Sequence, residues 1–137
     1  MLIRHNKKIS LDRFIYKSLY DKDNGYYNKK NPFGKKGDFI TSPNISVLFS
    51  EMISIWLISF WENLKKPKKI NIIELGAGNG EMMSQIIKTL NNFSEINLSV
   101  NFLILEKSPL MIKIQKTKID KKKVSWIKNL KEIPKAP

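Results

Sequence analysis

The 137-residue sequence contains no cysteine and only one histidine, His5. The missing cysteine excludes a disulfide framework and a thiolate metal site, and it fits a reducing compartment. A single histidine leaves no material for a histidine metal cluster or a catalytic triad. The sequence therefore predicts that the protein holds no metal.

Arginine is scarce although the chain is strongly basic. Arg4 and Arg13 are the only arginines among 25 Lys plus Arg residues, so 23 are lysine, and the formal net charge is +13. Nucleic-acid recognition favours the planar arginine fork, whereas lysine on solvent-facing surfaces often reflects composition alone. The lysine-rich runs at 65–69 and 118–123 also lie between apolar segments, where solvated connections are expected. Nucleic-acid binding is therefore a disfavoured interpretation.

No apolar run is both long enough and free enough of charge to predict a membrane span. The most apolar segment, residues 45–61, is at the short edge of the roughly 17–25 residues that a span needs, and it contains Glu51. A carboxylate at mid-membrane costs about 2.5–3.5 kcal/mol, so we predict a largely buried helix. The N-terminus has no apolar signal region or cleavage site, and its poverty in arginine and serine disfavours a mitochondrial presequence.

Helix signals dominate the first 66 residues. Ser10 precedes an amphipathic run at 11–20 and is placed to cap it, whereas residues 21–39 are rich in Asn, Gly and Pro and predict an irregular loop. Ser42 is predicted to cap the long apolar helix, and Pro43 to occupy its first turn.

Strands and helices alternate after residue 66. Short apolar runs at 70–75, 99–106 and 123–129 predict strands, and residues 80–92 and 108–119 predict the helices between them. Such alternation predicts a doubly wound parallel α/β sheet. We therefore divide the chain into an N-terminal helical extension, 1–66, and the first part of a ligand-binding domain, 67–137. A fourth strand is expected where the sequence ends, so we expect an N-terminal fragment of a longer protein; three strands with their helices could also suffice.

The turn after the first strand carries the clearest chemical signal. Glu74 precedes glycines at 76, 78 and 80, and this spacing lets a ligand rest against bare backbone beside a helix N-terminus. The dinucleotide fingerprint needs glycine at 81, where Glu81 stands, and no P-loop lysine is present. These features disfavour an NAD-dependent enzyme. A carboxylate in this position suits a ligand with a positive end, such as S-adenosylmethionine.

A second carboxylate, Glu106, ends the next predicted strand. Because parallel strands end at the same edge of a sheet, Glu106 should reach the same crevice and accept both ribose hydroxyls of an adenosine. The plainer alternative for Glu106 is a solvated strand end, and the plainer alternative for the three glycines is a tight turn with a structural role only.

Three segments resemble a known family. "ELGAGNG" resembles motif I of class I S-adenosylmethionine-dependent methyltransferases, and residues 24–56, which include "GDFITSP", resemble the signature of the MidA-like family, as does "ILEKSPLMIKIQK". The resemblance extends from about residue 24 to 115, and it implies a Rossmann-like class I methyltransferase fold with S-adenosyl-L-methionine as cofactor. The implied cofactor-binding residues are Thr41, Ser42, Pro43, Glu74, Gly76, Ala77, Gly78, Gly80 and Glu106.

The resemblance also implies a substrate and a location. Because the family includes a mitochondrial complex I assembly factor, the implied substrate is an arginine of a protein partner, with a respiratory complex I subunit as one candidate. The implied location is the bacterial cytoplasm, or the mitochondrial matrix in a eukaryote. Asp38 and Glu51 are the only upstream acids to consider as catalysts, and we expect the catalytic residues beyond position 137.

The sequence departs from the family at three positions near the motifs. The family often has Glu in place of Asn44, Pro in place of Ala77 and Arg in place of Asn79.

A competing hypothesis for the function is a truncated, catalytically inactive module. Such a module would bind a cofactor, or would dock to a partner through its lysines and the aromatic residues 26, 27 and 33.

Overall fold

Three parallel strands form the centre of the computed structural model, which describes residues 8–136. They are β1 (Ile70–Leu75), β2 (Val100–Leu105) and β3 (Val124–Ile127), and they lie in the order β1-β2-β3. Residue 70 pairs with 100, and 102 with 124. Both crossovers therefore move in the same direction from β1, as in one half of a doubly wound sheet. The predicted strands and fold class are confirmed.

Seven helices surround the sheet within residues 8–136. They are α1 (Leu11–Tyr20), α2 (Tyr26–Lys29), α3 (Ser42–Ile45), α4 (Val47–Asn63), α5 (Glu81–Leu90), α6 (Ser94–Ser99) and α7 (Pro109–Lys118). A 3-10 turn follows at Leu130–Glu132. The short α6 and the 3-10 turn were not predicted, because neither has the apolar period of a longer helix.

The core lies between one face of the sheet and α5. Alternate residues of β1 and β2 point to this face, among them Ile72 and Ile104, and they pack against Met83 and Leu90 of α5. Met83, Leu90 and Ile104 are fully buried. This packing fixes α5 directly behind the carboxyl end of β1.

The N-terminal helices pack onto the α/β part. α2 contacts α7, and α4 contacts α5. The predicted boundary at 66 and 67 lies in the turn between α4 and β1, where Lys65 and Lys66 both have positive φ. The division into 1–66 and 67–137 stays a proposal. His5 and the rest of the basic N-terminal segment lie outside the described residues.

Two predicted helix caps differ from the structure. Ser42 and Pro43 do not start the long helix; they belong to the separate helix α3, which has Thr41 at its N-cap. Ser46 is extended and caps α4 instead, accepting a hydrogen bond from the Leu48 N–H at 3.2 Å. Ser10 occupies the N-cap of α1 but makes no capping bond with its side chain.

The prediction that residues 45–61 form a largely buried helix is wrong. Only Ser50, Ser54 and Trp61 of α4 are buried. The small serine side chains let α4 approach its neighbours closely, whereas Met52 and Trp56 on the opposite side are 65% and 60% exposed. Within residues 8–136, no helix has the length and apolar character that a membrane crossing requires.

Candidate cofactor-binding site

A crevice of about 310 Å³ lies at the carboxyl end of β1. This volume is at the lower end of the roughly 300–1,000 Å³ typical of small-molecule sites. The crevice is lined by the segment around the start of α3 and by the turn between β1 and α5, although these segments are distant in sequence. The residues that line it are Phe33, Thr41, Ser42, Pro43, Phe49, Glu74, Gly76, Ala77, Gly78, Asn79, Glu81 and Met82.

The glycine turn has left-handed backbone at all three glycines. The φ angles are +73° at Gly76, +50° at Gly78 and +80° at Gly80. A β-carbon at Gly76 would meet nothing within 4 Å, so this backbone is open to a ligand. A β-carbon at Gly80 would instead lie 3.2 Å from the side chains of Gln115 of α7 and of Ile119, which directly follows α7. Gly80 therefore permits close packing of the turn on α7, and its predicted contact with the cofactor stays a prediction.

Glu74 is the most unusual ionisable group in the crevice. Its Oε2 atom is buried and has no hydrogen-bond partner among residues 8–136. The pKa of Glu74 is raised to about 7, chiefly by burial; a backbone hydrogen bond from Met83 lowers it, and the nearby charge of Glu106 makes a smaller raising contribution. A buried carboxylate oxygen without a hydrogen-bond partner is costly, and ionisable groups with strongly shifted pKa values cluster at functional sites.

Glu106 lies directly after β2, as predicted, but the protein already binds most of its carboxylate. Oε1 accepts from the backbone N–H groups of Lys107 and Ser108 at 2.8 and 2.9 Å, and Oε2 accepts from Gln115 Nε2 at 3.1 Å. A carboxylate offers about four acceptor positions, so one remains on Oε2. The side chain borders a second cavity of about 110 Å³. The structure thus leaves Glu106 capacity for one further hydroxyl, and its predicted contact with both ribose hydroxyls stays a prediction.

Phe33 lines both cavities, together with Gly76 and Gly78. A β-carbon at Gly78 would lie 3.4 Å from the Phe33 ring, which stacks at 8° on Tyr27, with 6.2 Å between the ring centroids. The competing hypothesis used Tyr26, Tyr27 and Phe33 as docking residues, but all three are half-buried and pack on one another or on the glycine turn. Sequence reasoning missed this role of Phe33, because the signal is a contact between residues 45 positions apart.

The two upstream acids lie outside the crevice lining. Asp38 forms a 2.9 Å salt bridge with Lys30 and accepts a hydrogen bond from Tyr26, and both contacts lower the pKa of its carboxyl. Glu51 is on α4 and does not line the crevice. Neither residue is therefore placed to act on a ligand there.

Two larger depressions lie elsewhere on the described surface. One of about 650 Å³ is bordered by Leu75, Leu105 and three lysines, and one of about 500 Å³ by residues of β2, β3 and the C-terminal segment. The unpaired oxygen of Glu74 belongs to neither. The crevice at the carboxyl end of β1 is therefore distinguished from the two larger depressions by the buried carboxylate of Glu74, not by its volume. Residues 8–136 contain no group of three or more His, Cys, Asp or Glu side chains that could hold a metal ion.

A parallel sheet whose first strand leads through a glycine turn into a helix, with acids at two adjacent strand ends, is typical of class I methyltransferases. Residues 52–137 match the model of a family described as putative S-adenosyl-L-methionine-dependent methyltransferase. The chain belongs to this family, and the predicted family resemblance is confirmed. The residues present also fit the family's cofactor, because Glu74 offers an unpaired carboxylate oxygen beside open backbone at Gly76.

The chain is similar to mitochondrial proteins from several animals. It is 35% identical over 107 residues to protein arginine methyltransferase NDUFAF7 homolog, mitochondrial, of Drosophila melanogaster. The aligned segment covers 78% of this chain and 24% of the relative. It is also 31% identical over 129 residues to the Homo sapiens protein arginine methyltransferase NDUFAF7, mitochondrial. That aligned segment covers 93% of this chain and 29% of the relative. The chain therefore spans about a quarter to a third of the length of these relatives.

A solved structure shares the fold. It is a likely methyl transferase from Burkholderia thailandensis bound to S-adenosyl-homocysteine, with a TM-score of 0.70 and 21% sequence identity. The match covers 89% of this chain and 33% of that protein. This similarity confirms the α/β fold with a partial sheet.

Proposed function

We propose that this chain binds S-adenosyl-L-methionine in the crevice and forms the cofactor-binding part of a methyltransferase that modifies an arginine of a protein partner. The observation that carries the proposal is the buried Oε2 atom of Glu74, which lies beside the glycine turn and has no hydrogen-bond partner in the part of the chain that the structure describes. The cationic amino group of the cofactor would supply that partner and offset the cost of burying the carboxylate.

The other crevice residues complement the rest of the cofactor. Open backbone at Gly76 and the N–H groups at the start of α5 suit its carboxylate, because a helix N-terminus carries partial positive charge. The acceptor position left on Glu106 suits one ribose hydroxyl. Thr41, Ser42 and Pro43 also line the crevice. When bound, the cofactor supplies an electrophilic methyl group on a sulfonium.

The proposed acceptor follows from the relatives, which are named protein arginine methyltransferases. A guanidinium is protonated at neutral pH, so the enzyme must orient it and ease loss of its proton. Holding two reactants in line can contribute up to about 7–11 kcal/mol to catalysis. Within residues 8–136, Glu74 and Glu81 are the only acids that line the crevice, and we assign no catalytic residue.

The partner and the location are proposed on the same basis. The relatives are mitochondrial proteins, which supports the mitochondrial matrix if the chain is eukaryotic; the bacterial cytoplasm is the counterpart otherwise. A respiratory complex I subunit as the methylated partner rests on the family resemblance alone.

A thermal-shift titration of the 137-residue chain tests the cofactor. We expect stabilisation by S-adenosylmethionine and S-adenosylhomocysteine that saturates with concentration, about 2.7 kcal/mol at one hundred times the Kd, and none by NAD. Stabilisation by NAD alone would contradict the proposal. No shift with either adenosyl compound, together with salt-sensitive binding to duplex DNA, would favour the docking module instead.

A further inference from the structure

Gln115 of α7 is hydrogen-bonded to both the glycine turn and Glu106, and the sequence pattern does not predict these contacts. The side chain is fully buried. Its Nε2 atom donates to the Gly78 carbonyl oxygen at 2.9 Å and to Glu106 Oε2 at 3.1 Å. Its Oε1 atom accepts from Trp126 Nε1 of β3 at 2.8 Å. One amide thereby joins the glycine turn, the acid after β2 and the third strand.

The bond to Gly78 sets the orientation of a peptide plane. The peptide unit is planar and trans, so the carbonyl of residue 78 and the N–H of Asn79 point in opposite directions. Because Gln115 holds the carbonyl towards α7, the Asn79 N–H points away from α7. Gly78 has φ of +50°, and a glycine in this conformation has many alternatives unless a contact fixes it.

The bond to Glu106 sets which acceptor position stays available. The neighbouring backbone N–H groups already hold Oε1, and Gln115 holds Oε2 on one side. The carboxylate can therefore offer a hydroxyl only its remaining position. A shift of Gln115 would change this position and the glycine turn together.

We propose that Gln115 is a positioning residue for the cofactor, which holds the glycine turn and Glu106 in one arrangement for the two ends of an adenosylated ligand. This inference rests on the proposed function. An amide suits the site because two donor contacts and one acceptor contact are needed. Glutamate would place a second carboxylate against Glu106, and methionine would remove the hydrogen bonds to Gly78, Glu106 and the half-buried Trp126.

The test measures S-adenosylhomocysteine binding by calorimetry for Gln115→Met and Gln115→Glu. Gln85 of α5 is half-buried and does not line the crevice, so Gln85→Met and Gln85→Glu are the matched controls. We expect at least a tenfold rise in Kd for Gln115→Met and less than a twofold change for either control. Trp126→Phe, which leaves both donor contacts of Gln115, should stay within threefold of the parent.

The pH profile separates positioning from a merely structural role. The ionisable groups that face the Glu106 carboxylate are Glu74, Tyr20 and Tyr27, and Lys116 lies over the Trp126 ring at 5.0 Å. In Gln115→Glu the new carboxyl can keep the contact with the Glu106 carboxylate only while it carries a proton of its own, which it holds at low pH. We therefore expect its Kd to rise at least tenfold from pH 6 to 8.5, whereas the Kd of the parent falls as Glu74 ionises.

The outcomes are distinguishable. If the parent chain does not bind S-adenosylhomocysteine, the proposed function fails, and the role of Gln115 fails with it. If the parent binds but Gln115→Met binds within threefold, or Gln115→Glu follows the parent's pH profile, the role of Gln115 alone is wrong. Should Gln115→Met fail to fold, the pH profile of Gln115→Glu decides.

Discussion

Asn44 and Asn79 exchange two side-chain hydrogen bonds of 3.3 Å, one in each direction, although 35 positions separate them. Asn44 follows the "GDFITSP" loop and Asn79 lies in the glycine turn, so the pair joins two walls of the crevice. Asn79 is only 8% exposed. These are also two of the positions where the chain departs from the Glu and Arg that are common in the family. The structure shows that the two departures belong to one contact.

Asn44→Ala should reduce the unfolding free energy by about 1–3 kcal/mol, because it leaves the buried Asn79 amide without its partner. The same change should weaken S-adenosylhomocysteine binding, since the loop would no longer be tied to the turn. Chemical denaturation and calorimetry measure the two effects.

A charged replacement tests the pairing itself. Asn44→Glu and Asn79→Arg should each be destabilising alone, whereas the double variant should recover stability, because an acid and a base can make the same bridge. A double-mutant cycle with a coupling energy near zero would show that the two side chains act independently.

The carboxylate of Glu74 predicts an unusual dependence of stability on pH. Its pKa of about 7 in the folded protein exceeds the ordinary 4.5, so the folded state holds a proton that the unfolded state has lost. The stabilising effect is complete below pH 4.5 and is lost as the pH rises to 7, by at most about 3 kcal/mol. Glu74→Gln should therefore be more stable than the parent at pH 8 and should bind S-adenosylhomocysteine more weakly.

Asp23→Asn is the control for this change, because Asp23 is exposed in the turn after α1. Denaturation curves at pH 5 and pH 8 for the parent and both variants provide the measurement. Glu74 would not be the titrating group if Glu74→Gln and the parent lost the same stability between the two pH values.

Local signals predicted the elements that depend on local chemistry. The continuous apolar runs of β1 and β2 were read correctly, and Ser108 with Pro109 marked the start of α7, where Ser108 Oγ accepts from the Met111 N–H at 3.1 Å. The predicted start of α4 at Ser42 is wrong, because Ser42 and Ser46 have the same capping chemistry and only the extended backbone at Ser46 distinguishes them.

Contacts between distant segments could not be predicted in this way. Gln115 reaches Gly78 across 37 positions, and neither residue type indicates the other. The burial of Glu74 and the position of Phe33 over the glycine turn likewise depend on how the N-terminal segment packs onto the sheet. The sequence therefore located the turn and its two acids, but not the side chains that hold them.

Gly78→Leu should abolish S-adenosylhomocysteine binding and leave the fold largely intact. A leucine would carry the strain of positive φ, of order 1–3 kcal/mol, and its side chain would meet the Phe33 ring, which lines both cavities. Gly78→Ala is the matched control for the backbone strain, because alanine carries the same positive φ but its β-carbon stops 3.4 Å from the Phe33 ring, at ordinary contact distance. Both variants should lose similar stability by thermal denaturation, and unchanged affinity in Gly78→Leu would count against the site.

Glu106→Ala should weaken S-adenosylhomocysteine binding by about 1–3 kcal/mol, the usual scale for the loss of a hydrogen bond to a charged group. The structure adds that stability should fall as well, because the variant leaves the Gln115 amide and the N–H groups of Lys107 and Ser108 without their acceptor. Glu51→Ala, on α4 and away from the crevice lining, should change the affinity little. Calorimetry on folded protein separates the two effects. If Glu106→Ala bound the ligand as tightly as the parent, the proposed contact of Glu106 with the ribose would be wrong. The hydrogen bonds of Glu106 to Lys107, Ser108 and Gln115 would then have a structural role only.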